Sequence, residues 1–145
     1  MKLDRASVLM IWGLLDLGFF GWFVGTSLLA GHVPIYSNLR SAEEAATSFG
    51  SLFPIAVTAL STILYVSVLV SGTLLCLRKD FGVVLAYAQF PFRLAFVVPS
   101  LFFIPWLVAP LPHRIAVAVS IVMIVGSELF KLWSLWFWQR RVTAA

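Results

Sequence analysis

The chain has 145 residues, 61% of them hydrophobic and only 11% charged, whereas a typical soluble domain carries about 25% charged residues. Its formal net charge of +4 does not point to a nucleic-acid partner, because the basic residues fall in pairs at the ends of apolar runs: Lys2 with Arg5, Arg78 with Lys79, Arg140 with Arg141. These features exclude a water-soluble fold and imply one all-α domain over residues 1–145, with the lipid bilayer as its solvent.

The first apolar run extends over 8–30. It is longer than the apolar core of a secretory signal peptide, about 7–15 residues, and Asp16 interrupts it, so it reads as a membrane span. Gly13, Gly21 and Gly25 lie on one four-residue spacing, and glycines so placed let a neighbouring helix of this chain or of a second copy approach closely. The segment 31–50 is the only long connection. Its "SAEE" places Ser41 to cap a helix with Glu44 completing a capping box, which predicts a short surface helix over 42–49.

The second span is expected over 53–77, with Pro54 tolerated in the first helical turn. "RKDFG" (78–82) is a tight turn, so the third span, over 83–109, is its antiparallel neighbour. Pro91, Pro99 and Pro105 each remove a backbone donor from that third helix, which predicts a kink, with Gln89 and Arg93 beside Pro91 available to the freed carbonyls. "PLPHR" (110–114) is a second short connection, and the fourth span runs over 115–138. All four runs exceed the ~20 residues needed to cross a bilayer core.

The expected architecture is therefore a four-transmembrane-helix antiparallel bundle with a proline-kinked third helix. Six basic residues (Lys2, Arg5, Arg78, Lys79, Arg140, Arg141) face two (Arg40, Arg114) across it. That asymmetry places both termini in the cytoplasm, and a bacterial inner membrane is the expected location. Trp133, Trp136 and Trp138 fit an aromatic belt at the cytoplasmic boundary, and Trp106 suits the other.

Four ionisable residues lie inside the spans: Asp16, Arg93, Glu128 and Lys131. At 1.5 Å per residue from the cytoplasmic ends their depths are about 12, 15, 16 and 12 Å. All four thus fall in one slab near the middle of a core about 30 Å thick. Glu128 and Lys131, three residues apart, share a helical face and are expected to pair. Asp16 and Arg93 remain as partners between the first and third spans, through two parallel hydrogen bonds, with Glu128 as the alternative partner of Arg93 and Ser67 at the same depth as a further donor.

Two functions follow from such a layer. As structural staples the charges fix helix register, and the protein acts as a non-enzymatic accessory or interaction subunit. It would dock against a larger membrane complex, or block a pore-forming toxin as an immunity protein does. Alternatively, Asp16 exchanges a proton for a transported cation, possibly in a homodimer. Asp16 in the first span resembles the single carboxylate of small four-span multidrug exporters, although those place Glu shortly before Gly-Thr, and here Gly25-Thr26 follows Asp16 by nine residues. Neither metal nor cofactor is expected: His32 and His113 lack a completing ligand set, and Cys76 reads as a small apolar filler. Ser67 and Ser71 read as helix-packing hydroxyls, and no residues assemble a catalytic triad.

Overall fold

A computed structural model describes residues 4–143 apart from 97, 99 and 102, and only the backbone of Pro105 and 138–143. The expectations placed on Lys2 and Pro99, and on the side chains of Trp138, Arg140 and Arg141, lie outside the described residues.

The described chain is helical throughout, without strands: α1 Arg5–Leu29, α2 Tyr36–Phe49, α3 Phe53–Cys76, α4 Asp80–Ala95, α5 Ile104–Val108 and α6 His113–Thr143. Three of these, α1, α3 and the stretch His113–Phe137 of α6, are long and apolar enough to cross a membrane. The chain has the make-up of an integral membrane protein, and many large apolar side chains are exposed on it, among them Leu14, Ile63, Val66, Val122 and Leu129.

Local chemistry sets the ends. Asp4 caps α1 by accepting the Ser7 N–H at 2.8 Å. Gly31 and Gly50 terminate α1 and α2 with φ of 74° and 62°, a left-handed conformation that only glycine adopts without a Cβ penalty. Pro54 sits in the first turn of α3, where its missing N–H costs no bond.

Two expectations change here. The surface helix begins at Tyr36 rather than 42, so Ser41 lies inside α2 and makes no capping box; Ile35, at φ 71°, turns the chain into α2 without a side-chain cap. The stretch 83–109, expected as one helical span, is not one helix. α4 starts at Asp80, carries Pro91 and ends at Ala95, α5 begins at Ile104, and the described residues between Phe96 and Ile104 are not helical. Phe96 N–H bonds to Phe92 O at 2.9 Å and Val98 N–H to Arg93 O at 2.8 Å, which closes the last turn of α4.

α1 packs antiparallel against α3, with Gly13 beside Cys76 and Phe23 beside Tyr65. The contact is close because two glycines oppose each other. A Cβ on Gly13 would lie 2.7 Å from Gly72 O and 2.6 Å from Cys76 Sγ, and a Cβ on Gly72 would lie 3.1 Å from Asp16 Cβ. Gly21 and Gly25 make no such approach, since nothing lies within 4 Å of a Cβ built on either; only the first member of the predicted stripe serves helix packing in this chain.

Three apolar clusters make the core. One joins the start of α1 to α4 and the end of α6, through Val8, Leu9, Trp12, Val83, Ala86 and Leu135, with Leu75 of α3. A second gathers Leu64, Val68 and Val98, and a third ties α5 to α6 through Ile104, Val108 and Ile124. Between them lies a polar layer.

Candidate functional site

Four helices, α1, α3, α4 and α6, and the stretch between α4 and α5 deliver polar groups to that layer. The Gly13–Gly72 approach brings Asp16 of α1 against α3. The last turn of α4 carries Arg93, the non-helical stretch carries Ser100, and α6 carries Glu128 and Lys131 one turn apart. Asp16, Arg93, Glu128 and Lys131 are between 0 and 2% exposed, and Ser100 is fully buried. All four predicted ionisable residues therefore meet in one sealed cluster.

The expected Asp16–Arg93 pair is present, but the expected Glu128–Lys131 pair is not. Lys131 Nζ donates to both oxygens of Asp16, at 2.6 and 2.8 Å, and forms no ion pair with Glu128, its neighbour on the same helix. Arg93 Nη1 donates to Asp16 Oδ1 at 3.0 Å and lies 3.5 Å from Glu128 Oε1. The guanidinium thus bridges two carboxylates through one nitrogen instead of forking onto Asp16. Lys131 takes both Asp16 oxygens, and Arg93 Nη1 shares Oδ1 with it.

Gln89 holds the rest of Arg93. Its Oε1 accepts Nε at 3.3 Å and Nη2 at 3.2 Å, and also the Ser71 hydroxyl at 3.2 Å, while its Nε2 donates to Ser67 O at 2.8 Å. Gln89 and Arg93 therefore serve each other and α3 rather than carbonyls freed by Pro91. Ser67 contributes its backbone oxygen, and its hydroxyl returns to Leu64 O.

The sequence reading missed Ser100. Its hydroxyl accepts from Arg93 Nη1 at 2.7 Å and donates to Glu128 Oε1 at 2.6 Å, and its backbone N–H reaches the same oxygen at 2.9 Å. A residue outside any helix has its N–H free, and here a buried carboxylate satisfies it. The available signal was a lone serine in the proline-flanked apolar stretch after Arg93. A second missed link joins Trp12 Nε1 to Ser134 Oγ at 2.8 Å, with the Trp12 ring centre 5.7 Å from Lys131 Nζ.

The formal charges of the cluster cancel, two against two. Among the described residues no buried side-chain nitrogen or oxygen lacks a hydrogen-bond partner. That completeness offsets a burial cost of several kcal/mol per ion, roughly estimated. Ser100 Oγ and Lys131 Nζ lie 3.4 Å apart, the residue types of a serine–lysine nucleophile. Lys131, however, gives its short bonds to Asp16, so its nitrogen is engaged as a donor and is not a free base. Among the described residues no three His, Cys, Asp or Glu side chains gather to hold a metal, and His32 and His113 are both exposed.

Comparison of the chain with protein-family models, curated proteins and solved structures gives no match.

Proposed function

We propose that this protein is a non-enzymatic interaction or accessory subunit of a membrane assembly, built as a four-pass bundle. The third pass in this reading is α4, the non-helical stretch and α5 taken together, kinked around Pro91 and the break. Both termini then face the cytoplasm of a bacterial inner membrane. The pairing of Arg5 with Asp80 supports that arrangement, because it sets the turn bearing Arg78 and Lys79 beside the start of α1.

One observation carries the proposal. The interior charges neutralise each other, are sealed from solvent, and satisfy one another's hydrogen bonds. Their chemistry is used up in holding five segments in register, which leaves recognition to the outer surface. Docking in the membrane against a larger complex, or against a pore-forming toxin, suits such a body. The test is affinity purification of the tagged chain from native membranes after mild crosslinking, with co-eluting proteins identified by mass spectrometry. A stoichiometric larger membrane protein is expected; recovery of the chain alone, or with a second copy only, overturns the proposal.

A second reading, proton-coupled transport through Asp16, draws on the broken third pass beside the charges, an arrangement that transporters use at substrate sites. It requires Asp16 to leave Lys131 and meet water. Proton flux in proteoliposomes that is abolished by Asp16→Asn, with the fold intact, would establish it.

A further inference from the structure

A cleft of about 510 Å³ lies between α2 and the first half of α3, at the end of the bundle away from Arg5 and Asp80. Asn38 and Ser41 of α2 line one wall, and Thr58 and Tyr65 of α3 the other, with Phe53 and Val57 beside them. No charged side chain lines it. Arg40 and Glu44 pair with each other at 3.3 Å, and Arg40 lines a separate cleft.

Four of the five polar side chains of this cleft are open; the fifth, Ser61, folds back onto Thr58 O, as Thr62 does, and Ser67 onto Leu64 O. The side chains of Asn38, Ser41, Thr58 and Tyr65 make no such bond among the described residues. Tyr65 is held by its ring, stacked at 4.5 Å on Phe23 and set 6.2 Å from Phe19, which leaves its hydroxyl to the cleft. Phe53, 73% exposed, presents an aromatic face at the rim.

We propose that this cleft binds a neutral, polyhydroxylated group of the size of a sugar ring, either the headgroup of a glycolipid or a free sugar. An amide and three hydroxyls offer donors and acceptors at once, which is what a ring of hydroxyls needs. The Phe53 face suits the apolar C–H side of the ring. A phosphate headgroup entering here would lose water and meet no cation, a cost that a neutral ring avoids. The volume lies within the range of about 300–1,000 Å³ usual for small-molecule sites. This inference stands apart from the accessory-subunit reading, since it uses none of the buried charges.

The experiment titrates the full chain in nanodiscs with glucosyl-diacylglycerol, with phosphatidylglycerol of the same acyl chains, and with methyl glucoside in solution. Bound ligand is followed by native mass spectrometry for the lipids and by saturation-transfer NMR for the free sugar. The glucosyl lipid is expected to bind at least about ten-fold more tightly than phosphatidylglycerol, and Asn38→Ala and Tyr65→Phe each to weaken it about ten-fold. Saturable methyl glucoside binding, lost in Asn38→Ala, would assign a free sugar; binding of the lipid form alone would assign the headgroup. Asn38 is exposed on a polar helix, so Asn38→Ala tests the site even if Tyr65→Phe disturbs the packing on Phe23. Equal affinity for the two lipids, or wild-type binding in Asn38→Ala, overturns the proposal.

Discussion

The charge cluster and the α2–α3 cleft use similar polar side chains in opposite ways. In the cluster every group is enclosed and partnered, so that four ions and three uncharged side chains behave as one rigid unit. In the cleft, Asn38, Ser41, Thr58 and Tyr65 have comparable bonding capacity, and their side chains make no hydrogen bond among the described residues. Enclosure with complete pairing marks groups that serve the fold. Open, uncharged, convergent groups mark capacity left for something else.

The largest effect is expected where the enclosed unit is left with an uncompensated charge. Lys131→Met removes the cation that bonds both Asp16 oxygens, leaving two carboxylates to share Arg93, and should cost about 3–5 kcal/mol, read as unfolding in detergent or bicelles. Adding Asp16→Asn should restore part of the loss, because the excess negative charge disappears. Strictly additive losses in the double variant would show that the two do not act as a pair.

Next comes Ser100→Ala, which withdraws the hydroxyl shared by Arg93 and Glu128 and should cost about 1–3 kcal/mol in the same assay. Gly13→Ala should fall in a similar range, about 1–3 kcal/mol, since its Cβ would sit 2.7 Å from Gly72 O and push α1 off α3. Gly25→Ala, with open space around the new methyl, serves as its control and should leave stability unchanged. The smallest effect belongs to the exposed pair: Arg5→Gln should shift stability by no more than about 1 kcal/mol, because Asp80 is largely in solvent. If Arg5→Gln rivalled Lys131→Met, the division between enclosed and open polar groups would not hold.

Much of the fold was legible because lipid imposes a simple rule: long uncharged runs must be helical, and α1, α3 and α6 follow the hydropathy closely. The depth arithmetic also brought Asp16, Arg93, Glu128 and Lys131 to one level. What it could not supply was rotation. Spacing along one helix suggested Glu128 with Lys131, yet each reaches across to another segment, Lys131 to α1 and Glu128 to Ser100. The break after Phe96 was hidden for a related reason. Proline predicts a lost donor, but whether a helix bends or stops depends on what lies beside it, and here the Glu128 carboxylate accepts a free N–H. The glycine stripe misled in the same way, because spacing shows that close approach is permitted and not that a neighbour is present.

The placement of Glu128 and Lys131 on the last helix has a consequence for biosynthesis. Before α6 is made, Asp16 and Arg93 have each other, Gln89 and the Ser100 hydroxyl, and the Ser100 N–H has no carboxylate acceptor. Completion waits for α6, whose arrival supplies the short bonds to Asp16 and the carboxylate for the broken segment. The last element to be translated therefore completes the cluster. A chain stalled before residue 128 lacks both the acceptor of the Ser100 N–H and the cation that reaches the two Asp16 oxygens.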